Sequence, residues 1–374
     1  MKLTLQMQLL PTAAQAAALI ETMHAFNDAA TFAARLAFDA GVFSQPSVHR
    51  LAYFEIRERF KLGAQLAVRA ISKAVETFAR DKTICPVFRA DGAISYDQRN
   101  MRFKGLDKVS LSTLAGREVF GIVYGEYQAE RFDRLKGQCD LVHRDGKFFL
   151  YCTIDLPEPP PDGVKAFLGI DLGIVNVASD SEGESHTGKK VQRNRRRRST
   201  ARKQHQRTGT KSAKRKLKSM SGRQRRFQTI TNHCISKKIV ASAKALGLGI
   251  AMEDLKDIRK RVEETVSRTF RRMFGNWSFS QLRLFVTYKA RLAGVPLVFV
   301  NPKNTSRTCS ACGHCEKANR KSQSVFLCKR CGHSMNADTN AALNISALGL
   351  IAYNAALARA LGPICKPASK AAVA

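Results

Sequence analysis

Ala166-Phe167-Leu168-Gly169-Ile170-Asp171-Leu172-Gly173-Ile174-Val175-Asn176-Val177-Ala178 is the stretch on which the reading turns. It reads as strand, tight turn, strand. Asp171 ends the first apolar run, and Leu172-Gly173 makes a turn that exposes its side chain. Two more acids stand in comparable contexts. Glu253 follows the apolar run 246–252, again at a strand end. Asp338 lies in Asn336-Ala337-Asp338-Thr339-Asn340-Ala341-Ala342-Leu343-Asn344-Ile345, close to a helix start, where the helix dipole favours an ionised carboxylate. Each acid alone reads more often as a turn residue or a helix cap, and their joint order carries the signal. Asp254 and Asp257 read as caps or flanks of the next helix.

The three acids point to hard-cation chemistry. Magnesium takes a few carboxylates and keeps water and substrate phosphate as its other ligands. Two such ions about 3.5–4 Å apart activate the attacking water and stabilise the leaving oxygen in phosphodiester cleavage. Acids from two strand ends and one helix start supply the rigid support this needs.

A second cluster is Cys309-Ser310-Ala311-Cys312 and Cys328-Lys329-Arg330-Cys331, two C-x-x-C pairs fifteen residues apart. This spacing is a zinc signature. Gly313 and Gly332 follow each pair and let the backbone curl around the ion. A closed four-sulfur site leaves no position for water, so the zinc is read as structural. His314, Cys315 and His333 read as bystanders, and Thr305 and Ser306 as either phosphate-positioning or turn-capping residues.

The 374 residues carry 63 Lys and Arg against 30 Asp and Glu, a net charge of +33. Such a surplus calls for a polyanion, and nucleic acid is the usual one. No lipidation motif and no long apolar span favours a membrane. The opening run 3–9 alternates apolar and polar, a strand rather than a signal peptide. A cytosolic chain with ten cysteines points to metal binding or free thiols rather than disulfides.

Pro11-Thr12-Ala13 opens helical sequence that runs to about Asp81, with a loop at 41–47. The basic faces of 51–80 are solvated or bind nucleic acid. From 93 to 156 the pattern changes to short strands, with a hairpin turn at Arg144-Asp145-Gly146-Lys147. The proline-rich stretch 157–163 reads as a stiff linker. No acid occurs between Glu184 and Glu253, and the basic tract 189–226 has Leu217, Met220 and Phe227 at helical spacing. It reads as a long basic helix whose Arg195, Arg196, Arg197, Arg198, Arg202, Lys203, Arg223, Arg225 and Arg226 contact phosphates; a solvated or disordered charge run and a nuclear-import signal are the alternatives that composition leaves open. Strand signals recur at 246–252 and 296–300. The segment 277–293 between them is amphipathic and helical, with Trp277 as a core residue.

GIDLG around Asp171, MEDL around Glu253, Asn276-Trp277, Tyr288-Lys289-Ala290, NPKNTSRTCSACG, FLCKRCG and NADTNAALNI follow one another in order. From Leu168 to Ile345 this set resembles the RuvC-like nuclease of the transposon-encoded TnpB family and the related small type V CRISPR effectors. The resemblance implies a multidomain α+β protein with an RNase H-like (RuvC) nuclease domain at 161–304 and 335–360. It implies a zinc ribbon at 305–334, a wedge-like β-barrel at 1–12 and 90–160, a helical recognition lobe at 13–89, and a flexible tail at 361–374. Asp171, Glu253 and Asp338 would be the catalytic acids, with Mg2+ or Mn2+. Family members lacking one acid act as nuclease-dead repressors, and this chain keeps all three. The implied partners are a guide RNA from the transposon end and target DNA, met in the prokaryotic cytoplasm on the nucleoid. The implied activity is RNA-guided DNA cleavage. A nucleic-acid-binding regulator without cleavage, or a transposase that joins DNA ends, would also explain the charge and the cysteines. Guide-directed reading of DNA relies on A-form shape and backbone phosphate, which suits so basic a chain.

Overall fold

The computed structural model describes residues 1–255 and 279–360. The chain divides into two compact units, Met1–Pro157 and Glu158–Ala374. Asp257, Asn276, Trp277 and the tail 361–374 lie outside the described residues.

The first unit is a seven-stranded sheet with three helices inserted after its first strand. Strand β1 (Lys2–Leu10) leads into helices α1 (Ala13–Asp39), α2 (Gln45–Phe60) and α3 (Ala64–Phe78). Thr12 caps α1 and shares a capping box with Gln15, so helix replaces strand at once. Ala29, Ala30, Ala33, Ala34 and Ala37 line the buried face of α1, where small side chains admit the neighbouring helices. Helix α2 begins inside the stretch read as loop, because Ser44 caps it and Pro46 suits a first turn.

Strands β2 (Ile94–Tyr96), β3 (Met101–Lys104), β4 (Lys108–Thr113) and β5 (Gly116–Val123) follow. After a short helix, α4 (Glu126–Ala129), come β6 (Leu135–Arg144) and β7 (Lys147–Asp155). The sheet order is β2-β6-β7-β1-β5-β4-β3. Its two edge strands are therefore β2 and β3, yet only residues 97–100 join them. Edges joined so briefly must curl together, which makes the sheet a near-barrel. The Tyr96 hydroxyl donates to the Ser112 carbonyl at 3.0 Å across this seam. Asp145 and Gly146, both at positive φ, make the tight turn between β6 and β7.

The second unit is a five-stranded sheet with helices on both faces. Strands β8 (Phe167–Asp171), β9 (Asn176–Asp180) and β10 (Ser185–Thr187) form an antiparallel meander. Two helices, α5 (Lys189–Thr208) and α6 (Lys211–Ala245), precede β11 (Gly249–Glu253). Helix α7 (Phe279–Ala293) then leads to β12 (Leu297–Val300). The order is β10-β9-β8-β11-β12, with β11 parallel to both β8 and β12. The basic tract is thus two helices rather than one long one: Gly209 takes φ 68° and ends α5, and Thr210 caps α6. Likewise Leu246 and Gly247 end α6 and do not begin β11.

Strand periodicity sorts the two faces. Leu168, Ile170, Ile250 and Met252 pack with Ile235, Ile239, Leu282 and Val286 of α6 and α7. Phe167, Ala251 and Val300 pack instead with Ile345 of the last helix, α8 (Ala337–Ala360). Against the expectation of no long apolar span, helix α8 is long and apolar enough to cross a membrane by length and composition. Here its buried side covers the sheet. The approach is close because two glycines permit it. A Cβ on Gly169 would lie 1.9 Å from the Ala342 carbonyl oxygen, and one on Gly349 would lie 2.4 Å from the Cβ of Ala251.

Candidate functional site

Ile170 pairs with Met252 in the parallel register of β8 and β11, so Asp171 and Glu253 are the next residues on neighbouring strand ends. Adjacent strands lie about 4.8 Å apart. By alternation both acids share the face of Phe167, Gly169 and Ala251, the face covered by α8. Asp338 is the second residue of that helix and is 8% exposed. Asn336 caps the helix, its Oδ1 accepting from the backbone of Asp338 at 2.9 Å and of Thr339 at 3.2 Å. The fold therefore brings the three sequence-selected acids to one end of one sheet face.

Each acid has a partner. The Thr305 hydroxyl donates to Glu253 Oε1 at 2.6 Å. Asn176 of β9 donates to Asp338 Oδ2 at 3.0 Å, and Arg320 lies 3.5 Å from Asp338 Oδ1. Burial, then the charges of Glu253 and Asp338, push the Asp171 carboxyl up to about 7, against the opposing pull of Arg320 and the Leu172 N–H. Burial also raises Glu253, with the Thr305 hydrogen bond acting the other way. Three acids face one nearby guanidinium, so the site is short of positive charge. A divalent cation fits that deficit and that donor set of hard oxygens.

The four thiols form a tighter group. The Sγ atoms of Cys309, Cys312, Cys328 and Cys331 all lie within 4.8 Å of one another. Cys309 and Cys331 are 3.8 Å apart, and Cys312 and Cys328 are 3.6 Å apart. A tetrahedron with metal–sulfur bonds of about 2.3 Å has edges of about 3.8 Å, so the group could hold one ion. The two halves repeat one pattern. Gly313 donates to the Cys309 carbonyl and Gly332 to the Cys328 carbonyl, both glycines at positive φ. His314 faces Glu316 and His333 faces Met335, and neither belongs to the group, nor does Cys315. Among the described residues these thiols alone close into such a shell; the carboxylates are coupled electrostatically without being drawn into one.

The thiolate ribbon is fastened to the carboxylate end of α8. It carries a two-stranded sheet, β13 (Val325–Leu327) and β14 (Ser334–Asn336). Asn340 donates to the Thr308 carbonyl at 2.8 Å and accepts from Ser310 N at 3.0 Å. Asn344 donates to the carbonyls of Thr305 and Thr308 at 2.8 and 2.7 Å. Buried Asn319 donates to the Arg307 and His314 carbonyls, which fixes the segment carrying Arg320. Arg320, Asn176, Asn340 and Asn344 escaped the sequence reading. The asparagines at 336, 340 and 344 were visible as one helix face at i, i+4 spacing. Nothing local marks Arg320. Asp254 was read as a helix cap or flank, and the structure pairs it with Arg283 at 2.5 Å.

The basic residues split into two groups. Arg195 donates to Gln228 at 3.2 Å and Arg198 to the Met220 carbonyl at 2.9 Å, so both join α5 to α6 and are half-buried. Arg196, Arg197, Arg202, Lys203, Arg223, Arg225 and Arg226 are exposed.

Residues 279–345 match the family model described as Cas12f1-like, TNB domain. Over 121 residues the chain is 40% identical to a CRISPR-associated endodeoxyribonuclease Cas12f1 of Sulfoacidibacillus thermotolerans, covering 32% of this chain and 27% of that protein. It is 36% identical over 129 residues to a TnpB-like protein of Methanocaldococcus jannaschii, covering 34% and 45%. A longer match, 26% identical over 315 residues, is to the putative RNA-guided DNA endonuclease InsQ of Escherichia coli, covering 76% and 73%. The chain thus spans from about a quarter to under half of the first two relatives and nearly three quarters of the third.

Proposed function

We infer that this chain, a relative of the TnpB-like and Cas12f proteins, is an RNA-guided DNA endonuclease that hydrolyses phosphodiesters at Asp171, Glu253 and Asp338. The observation that carries this is electrostatic. A half-buried Asp171 whose carboxyl is pushed up to about 7 by desolvation and two neighbouring acids belongs to a site built for added positive charge. The names of the relatives, an endodeoxyribonuclease and a putative RNA-guided endonuclease, support the reaction class. The strand order β10-β9-β8-β11-β12, with acids at the ends of β8 and β11, supports reading the unit as RuvC-like.

The three carboxylates would hold Mg2+ or Mn2+, which when bound supplies activation of the attacking water and stabilisation of the leaving oxygen. The chain's own residues prepare that site. Thr305 orients Glu253 through its hydroxyl. Asn176 fixes one oxygen of Asp338 and leaves the other towards Arg320. Arg320 is about one quarter exposed, so its guanidinium can also meet a phosphate oxygen of the substrate. The four cysteines would hold zinc, whose role is to fix the ribbon and with it Thr305 and Arg320.

The remaining assignments follow from charge and from the relatives. The exposed arginines of α5 and α6 would contact backbone phosphate. The near-barrel would act as the wedge and α1–α3 as the recognition lobe, together holding a guide RNA from the transposon end and the target DNA. Sequencing RNA that co-purifies with the chain identifies the guide. Magnesium-dependent cleavage of a DNA matching that guide is then expected. A chain that binds guide and target yet leaves the DNA intact with magnesium is a regulator, not a nuclease.

A further inference from the structure

We propose that Arg283 of α7 is a positioning residue for Glu253, acting from the opposite face of the sheet through Asp254. The proposal rests on the carboxylate–metal reading above and adds a residue outside the cluster.

Strand alternation places consecutive side chains on opposite faces. Glu253 faces α8 with Asp171. Asp254, one residue on, faces α7. There the Arg283 guanidinium meets Asp254 Oδ1 at 2.5 Å and lies 3.7 Å from the centroid of the Phe299 ring. Phe299 is the strand partner of Met252, and Val300 that of Glu253. The backbone N–H of Asp254 donates to the Val300 carbonyl at 2.8 Å and so extends the ladder past Glu253. One guanidinium thus ties together the end of β11 and the edge strand β12.

The helix that carries Arg283 is itself anchored. Gln281 accepts from Asn232 at 2.9 Å and donates to Thr229 at 3.2 Å. Asn232 is 1% exposed, which makes this a core contact with α6. Lys289 donates to the His233 carbonyl at 2.7 Å and to Ser236 at 2.6 Å. Arg283 therefore reaches Asp254 from a fixed frame. Glu253 is held at its carboxylate by Thr305, and the residue that follows it is held by its N–H on Val300 and its carboxylate on Arg283.

The chemistry demands such a hold. A magnesium ligand must sit within about 2.1 Å of the ion in near-ideal octahedral geometry. A carboxylate at a strand terminus is free to swing unless the next residue is fixed. Partners that hydrogen-bond a metal ligand directly are worth about 10–100-fold in metal affinity, and a pair acting one residue away is expected at the lower end of that range.

The test is Mn2+ titration of the full chain, counting only the binding that Asp171→Ala abolishes, alongside thermal melting. Arg283→Met and Asp254→Asn should each raise half-saturation about tenfold. The double variant should lose less than the two single losses combined, because the Arg283–Asp254 pair is shared between them. Arg283→Lys, which keeps the charge but not the planar stack, should fall between Met and wild type. A purely structural role would lower the melting temperature and leave half-saturation unchanged, and that result overturns the proposal. Should Arg283→Met fail to fold, Asp254→Asn decides alone: wild-type affinity refutes, tenfold weakening supports. If wild type shows no Asp171-dependent Mn2+ binding, the carboxylate–metal reading itself has failed, an outcome separate from wild-type-like behaviour of the variants.

Discussion

Gly169 on β8 faces the backbone of Ala342 on α8 so closely that a Cβ would lie 1.9 Å from the Ala342 carbonyl oxygen. That approach sets how near Asp338 comes to Asp171, two residues beyond the glycine. Gly169→Ala must push helix and sheet apart. Overpacking of this kind costs about 1–3 kcal/mol. Chemical denaturation should show a loss of that size, and the same variant should need more magnesium for cleavage. Unchanged stability would mean that α8 is not seated as described.

The titration of Asp171 gives a pH dependence with a definite sign. Its carboxyl holds a proton in the metal-free fold up to about 7, whereas in the unfolded chain it loses it near 3.8. Over that interval the folded state binds more protons, so stability falls as pH rises. The loss is at most about 4 kcal/mol for a shift from 3.8 to about 7. Asp171→Asn lacks this penalty. In magnesium-free buffer it should melt above wild type at pH 8, with the gap closing towards pH 5. Magnesium should narrow the gap at pH 8. A gap that does not change with pH would contradict the prediction.

The zinc assignment has a stoichiometric consequence. The purified chain should carry about one zinc per molecule, and Cys309→Ser with Cys331→Ser should abolish it. Metal loss should also depress cleavage, because the ribbon carries Arg320, whose segment Asn319 fixes beside Asp338. Elemental analysis showing well under half an equivalent in a folded, reduced ribbon would refute zinc.

The split among the arginines separates two phenotypes. Arg196→Ala, Arg197→Ala and Arg202→Ala combined should leave melting near wild type. They should reduce the salt dependence of RNA binding by about 0.7–0.9 in slope for each phosphate no longer neutralised. Arg198→Ala should instead lower stability, since Arg198 is bonded across the hairpin to Met220. A triple variant with the wild-type salt slope would show that this face does not bind the RNA.

The acids and the cysteines were legible because each sits in a local pattern: an apolar run that stops at a carboxylate, or a doubled C-x-x-C. The strands β1, β8 and β12 were legible for the same reason. What stayed hidden depends on distance along the chain. Arg320 comes to Asp338 only because the ribbon folds back on α8. Arg283 reaches Asp254 only because α7 lies beneath the end of β11. The long basic tract looked like one helix because its composition is uniform, and a single Gly209-Thr210 step broke it. The near-barrel was expected from the strands that follow the helical insertion, and the reason for its closure, β2 and β3 joined by residues 97–100, appears only in the sheet order.

The most direct measurement is anomalous scattering from crystals of the chain soaked in Mn2+. A manganese peak bounded by Asp171, Glu253 and Asp338 is expected, missing in Asp171→Ala crystals, while the cysteine site scatters at the zinc edge in both. Saturating Mn2+ with no peak among those three carboxylates would contradict it.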